Sequence, residues 1–231
     1  MMHTSRSGKT PGRPPQPGEG GKNVREAFLD TALELFGCRG VAATSVAEIA
    51  AAVGVSPAMA QYYFKNREQL LDAVVSERIL PLIDFVWGGF DAALEEKALV
   101  PLLQRLIERL LQLSAQKPWL PNLWVSEVLS RSGQLRKRIL PYVHETYLRR
   151  FANTFEAAQG QGLINPDLMP RLTLGSVMGS AMIPLVFLDA GEGAVLDAAG
   201  QERVTRHALS LILPGLAPDG RVPVRPRRHG G

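Results

Sequence analysis

The residues best suited to act on another molecule crowd into one short stretch, PAMAQYYFKNR, residues 57–67. A glutamine amide such as Gln61 donates and accepts together, the pairing that an adenine edge offers. The hydroxyls of Tyr62 and Tyr63 and the charges of Lys65 and Arg67 suit phosphate oxygens. No catalytic set competes with this cluster. Cys38 with His144 or His207 would make a nucleophile pair, but no motif brings them together, and Cys38 belongs by pattern to the same N-terminal region. A single cysteine excludes an intramolecular disulfide, and the His and carboxylate spacing of a metal site is absent. Neither an enzyme, a cofactor nor a metal is expected. Cys38 reads as a small buried or half-buried residue at the end of a helix.

Positioning such a cluster requires short, firmly started helices, and the sequence supplies the start signals. From Val24 the apolar residues Ala27, Phe28, Ala32, Leu35 and Phe36 recur at three- and four-residue intervals, which predicts a helix over 23–39 stopped by Gly40. Gly37 within its last turn costs about 1 kcal/mol relative to alanine, a sign of close packing or fraying. Ser45 with Glu48 is a capping box that opens a helix through Val53, with Val46, Ile49, Ala50 and Val53 on one face. Gly54 ends it. Ser56 then caps a third helix with Pro57 at its first position, covering 57–64, and Asn66 with Gln69 repeats the signal for a fourth. Two short helices joined by a tight turn form a helix-turn-helix, whose second helix enters the DNA major groove.

The stretches REAFLDTALELFGCRG and TSVAEIAAAVGVSPAMAQYYFKNREQLLDAVV resemble the DNA-binding domain of the tetracycline-repressor (TetR) family over residues 24–76. The Thr-Ser start, Ile-Ala before Val-Gly-Val-Ser, and Tyr-Phe before a basic residue and Glu-x-Leu-Leu all fall in register. The resemblance implies an all-α chain in which a three-helix helix-turn-helix domain precedes a larger helical domain for ligand binding and dimerisation. It also implies that Thr44, Tyr62, Tyr63, Lys65 and Arg67 clamp the DNA backbone. Ser45, Pro57, Ala58, Met59 and Gln61 complete the expected DNA-binding set, with Val55 and Phe64 in the core and Ala58 small enough for close backbone approach. Two positions depart from the family. Ala60 stands where a bulky aliphatic is usual, so that Met59 or Leu70 must fill the space, and Gln61 stands where a tyrosine is usual.

The remaining chain reads as amphipathic helices over 67–80 or beyond, 99–116, 121–131, 134–159, 168–188 and 201–213, with Pro81 as a possible kink and the glycines at 88 and 89 as a break. Its domains are expected as a flexible arm over 1–21, a DNA-binding domain over 22–76, an effector and dimer domain over 77–215, and a basic disordered tail over 216–231. Trp87, Trp119, Trp124, Tyr142, His144, Met178 and Met182 are candidate ligand contacts, with Glu127, Asn122 and Arg131 as further polar groups. Bundles house ligands between helices, and this aromatic content favours a hydrophobic or amphipathic effector. The segment LTLGSVMGSAMIPLVFL presents Gly175, Ser176, Gly179 and Ser180 for close approach to a twin helix. A two-fold dimer would set two reading helices about 34 Å apart on a palindromic operator in double-stranded DNA.

Charge adds little to this. Residues 1–76 carry a net +1, residues 77–220 a net −1, and the tail RVPVRPRRHGG carries four arginines and no acid, so the whole excess of +4 sits in the tail. The arm, with Arg6, Lys9 and Arg13, is either a solubilising leader or a contact to DNA. The N-terminus lacks the apolar core of a secretory signal and no membrane span is expected, which makes the cytoplasm the expected compartment. The reading is a repressor released from its operator by a small molecule. The alternative is a DNA-binding regulator without such an effector, an activator or one controlled by a protein partner.

Overall fold

The computed structural model describes residues 19–88, 99–187 and 197–220, and among these every regular element is helical. Of the arm expected over 1–21, residues 1–18 lie outside the described residues, as do residues 221–231 of the tail expected over 216–231. Helix α1 (Glu19–Arg39) begins within the segment assigned to the arm. Helices α2 (Val46–Val53) and α3 (Pro57–Tyr63) follow, then α4 (Arg67–Val74). Helices of seven or eight residues are marginal in water, so their ends must be satisfied locally and their faces held by packing.

Every start signal in the sequence has its hydrogen bond. The Glu48 amide donates to Ser45 Oγ at 3.2 Å while the Ser45 amide donates to the Glu48 carboxylate at 2.8 Å. The Met59 amide donates to Ser56 Oγ at 3.2 Å, and the Gln69 amide to Asn66 Oδ1 at 2.9 Å. Each such cap is worth about 1 kcal/mol. Gly54 ends α2 with φ 77°, a left-handed turn that any side chain would strain. The turn aims α3 across α2.

The buried stripe of α1 is Phe28, Leu29, Ala32, Leu33 and Phe36, while Ala27 is exposed. Leu29 and Leu33 take the place expected for Ala27 because α1 is covered on several sides, by α2, by α4 and by the later short helix Leu120–Leu123. Phe28 meets Phe64 with ring centroids 5.2 Å apart, tying α3 to α1. Cys38 is exposed, against expectation. Phe36 and Gly37 face inward, and about 100° of rotation per residue carries Cys38 round to solvent.

Helix α4 runs through a π-helical turn, Val75–Ile79, into α5 (Leu80–Trp87) without a break in the chain's helical course. The π turn lies just before Pro81, which has no N–H to offer the ladder. Two clasps hold this rod to α1. Arg25 forks onto Glu77 at 2.5 and 2.6 Å, and Arg78 bonds Asp30 at 2.6 Å and also Glu26. The Arg25 guanidinium holds the Glu77 carboxyl below its ordinary range.

The larger half is a bundle around α6 (Leu99–Gln116), whose Leu102, Leu103, Leu106, Ile107, Leu110 and Leu111 are buried. Next come α7 (Leu120–Leu123) with the π-helical stretch Trp124–Leu129, α8 (Arg136–Val143) with the π turn His144–Leu148, and α9 (Arg149–Gly160). Helices α10 (Pro170–Phe187) and α11 (Ala198–Leu216) close the chain and pack on α6. By length and mean hydropathy, 1.2, α10 alone among the described helices could cross a membrane, although its sequence reads as a poor span. Here it packs against α6, α7, α9 and α11.

Candidate DNA interface and effector cavity

Packing decides which side of α3 is free. Ala60, 1% exposed, and Phe64 face the core, and Tyr63 is half-buried against it. Pro57, Ala58, Met59, Gln61, Tyr62 and Lys65 are exposed, with Tyr62 at 71%. The two tyrosines meet edge to face at 5.3 Å, so the half-buried ring orients the exposed one. Ala58 is exposed and not part of the core. The small side chain at Ala60 is not compensated by Met59, which stays 40% exposed, whereas Leu70 is fully buried.

Thr44 and Arg67, expected on the DNA backbone, are turned inward. Thr44 is 1% exposed, and its hydroxyl donates to the Gly40 carbonyl at 2.9 Å, at the end of α1. Arg67 donates to the Thr44 carbonyl at 2.5 Å and to the Val41 carbonyl. Both side chains therefore shape the loop between α1 and α2. Their partners lie in loop backbone up to 26 residues away, a pairing that no local sequence pattern displays. Ser45 remains exposed at the start of α2.

Trp87, Trp124, Met178 and Met182, four of the seven candidate ligand contacts, line one narrow cavity of about 30 Å³. Ile79, Leu82, Ile83, Val86, Leu110, Leu113 and Leu120 complete its wall, residues that the sequence did not single out as ligand contacts. The wall is aliphatic, methionine and tryptophan throughout. That space is far smaller than a typical ligand pocket, so a guest of effector size must push the wall apart.

The other three candidates stand elsewhere. Trp119 lies at the seam between α1 and α7, where a Cβ on Gly37 would come within 2.5 Å of its own Cβ. Close packing, and not fraying, is thus the reason for that glycine. Tyr142 and Tyr147 both donate to Asp84 Oδ1, at 2.6 and 2.7 Å, and Tyr147 stacks on Trp87 at 4.9 Å. The bond to Asp84 raises the Tyr142 pKa, and burial followed by the same carboxylate raises that of Tyr147. His144 sits 2.9 Å from Arg171 on an open groove with Arg131, Arg136 and Lys137. Asn122 is exposed, and Glu127 is buried and bonded to backbone.

A helix-turn-helix with an exposed outer face, joined to a bundle with an apolar cavity, makes a two-part, all-α architecture of the kind that DNA-binding regulators use. The family model for bacterial regulatory proteins of the tetR family matches residues 28–74. Residues 28–74 are thus a TetR-family DNA-binding domain, and the chain as a whole resembles regulators of that family. It is 34% identical over 120 residues to the HTH-type transcriptional regulator BetI of Rhizobium meliloti (strain 1021), a match covering 51% of this chain and 58% of that protein. It is 24% identical over 209 residues to the HTH-type transcriptional repressor KstR2 of Rhodococcus jostii (strain RHA1), covering 88% and 97%. The transcriptional regulator FadR from Bacillus subtilis, solved with stearoyl-CoA, shares the fold with a TM-score of 0.59 at 20% identity, covering 83% of this chain and 98% of that one.

Proposed function

We propose that this protein is a homodimeric transcriptional repressor that binds a palindromic operator and is released by an uncharged or amphipathic small molecule. The observation that carries the reading is that one helical rod, α4 through α5, has Arg67 beside the reading domain at one end and Trp87 in the apolar cavity at the other. A guest that spreads the cavity therefore acts on an element that also carries the reading head. The energy required is modest, since a coupling of about 1–3 kcal/mol changes operator affinity about 5- to 150-fold. Gln61, Met59 and Ala58 are the proposed base-reading residues, with Ser45, Pro57, Tyr62, Tyr63 and Lys65 around them toward the backbone.

An apolar wall favours a hydrocarbon-rich effector, and the stearoyl-CoA held by FadR is a molecule of that kind. A dimer is supported by the outer face of α10, where Leu172, Gly175, Ser176, Ile183 and Phe187 are exposed in helical register, Phe187 at 83%. An apolar stripe of this kind on a monomer calls for a cover, and a second copy supplies a matching one. Footprinting of the DNA upstream of the protein's own gene tests the function. Protection of an inverted repeat at low salt, lost on addition of a compound that also raises Tm, is the expected result. An unprotected region at low salt refutes it.

A further inference from the structure

We propose that Glu127 is the residue that couples the cavity to the reading domain, through a closed ring of hydrogen bonds; the inference rests on the DNA-binding reading above. Glu127 is buried, yet its carboxylate is bonded at both ends by backbone. The Val41 amide, in the loop between α1 and α2, donates to Oε1 at 3.2 Å, and the Gln134 amide, before α8, donates to Oε2 at 2.8 Å. The ring continues from there. Arg138 donates to the Gln134 carbonyl at 3.1 Å and to Asp72 at 2.5 Å, and it also bonds Glu68, both acids lying on α4. Arg67, next along α4, closes the circuit by holding the carbonyls of Val41 and Thr44.

Two features make this a device and not a chance contact. The first is the choice of residue. Only a carboxylate accepts at both oxygens, whereas a glutamine of the same shape would set an NH₂ against one of the two amides. The second is the fit of the surrounding backbone. A Cβ on Gly133 would lie 2.1 Å from the Glu127 carbonyl oxygen, so the loop that carries Gln134 can close on Glu127 only because position 133 is glycine. The helix bearing Glu127 also bears Leu120 and Trp124, both in the cavity wall. A guest too large for about 30 Å³ must displace that wall, and with it the acceptor for Val41. The loop then loses its outer tie while Arg67 keeps the inner one. Glu127 is a positioning residue in this scheme and touches neither ligand nor DNA.

The experiment uses the full-length chain, hydrogen exchange and operator binding. In Glu127→Gln, exchange is expected to rise about tenfold at 41–45 or 133–135 while the α1 core, 28–36, is unchanged. Filling the cavity with Met182→Trp, or with Leu113→Phe if the larger side chain does not fold, raises exchange at 41–45 without any ligand. In the Glu127→Gln background the same filling adds nothing further. Operator affinity falls several-fold in Glu127→Gln at an unchanged salt slope, because no phosphate contact is lost. Arg138→Ala, which opens the ring from the other side, repeats the pattern if Glu127→Gln is too unstable to purify. Unchanged exchange at both segments, additive effects of filling and Glu127→Gln, or raised exchange with unaltered operator affinity would each overturn the proposal. If the wild-type protein binds no operator, the repressor reading fails, while the exchange measurements still decide the link between cavity and loop.

Discussion

Replacing Gly37 by alanine sets two effects of opposite sign against each other. In an open helix interior the exchange stabilises by about 1 kcal/mol. At this position the added Cβ would lie 2.5 Å from the Trp119 Cβ, 2.9 Å from its carbonyl oxygen and 3.3 Å from its carbonyl carbon. These atoms belong to the backbone or are fixed to it, so rotating or truncating the indole gives no relief. Helices α1 and α7 must separate by about 1 Å to restore ordinary contact at 3.5–4.0 Å. Overpacking of that kind costs about 1–3 kcal/mol, and it loosens a seam that unites the two halves of the protein. The net expectation is a loss of about 1 kcal/mol, a fall in Tm of about 2–4 °C for a chain of this size. Gly160→Ala is the control, because nothing lies within 4 Å of its added Cβ at the end of α9. Urea unfolding followed by tryptophan fluorescence, at equal protein concentration, should move the two midpoints in opposite directions. A Gly37→Ala midpoint raised as far as that of Gly160→Ala would refute the close packing of α1 on α7.

Other substitutions separate grip from support. Lys65→Ala is expected to lower the slope of log affinity against log salt by about one phosphate contact, while Arg67→Ala lowers stability and affinity with the slope retained. Unfolding of Ser45→Ala should show a loss of about 1 kcal/mol from the broken capping box. The pH dependence follows from Glu77, whose folded pKa is depressed by Arg25. Its stabilisation is present above the unfolded value near 4.5 and is lost as pH falls through the lowered folded value, so Glu77→Gln should flatten the acid limb of a stability profile. Tyr142 and Tyr147 have the opposite sign. Their raised pKa values stabilise the fold below pH 10, and that contribution is lost as pH climbs above it, a loss that Tyr147→Phe should reduce in alkaline unfolding curves.

The parts of this structure governed by neighbours in the chain were legible in the sequence. Ser45 with Glu48, Ser56 with Pro57, and Asn66 with Gln69 each act within three residues, and the sequence pattern locates the short helices they start. Tyr62 is exposed on α3, as a contact to DNA requires, whereas the half-burial of its neighbour Tyr63 was not read from the sequence. What escaped was set by distant backbone. Thr44 and Arg67 carry groups suited to phosphate, but loop carbonyls of the folded chain claim them first. Glu127 reads as an ordinary helix acid until the fold brings Val41 to it across 86 residues. Trp119 and Trp124 are five residues apart and look alike as ligand contacts. Only the packing of Trp119 against Gly37 of α1 assigns the first to a seam and leaves the second to the cavity.

The central claim, a two-fold reader of DNA built on the exposed face of α3, is tested most directly by selecting bound sequences from random DNA with the purified protein. Enrichment of paired, inverted half-sites with centres about one helical turn, roughly 34 Å, apart is expected, with a changed base preference within each half-site in Gln61→Ala. Enrichment of a single unpaired site, or none at low salt, would contradict it.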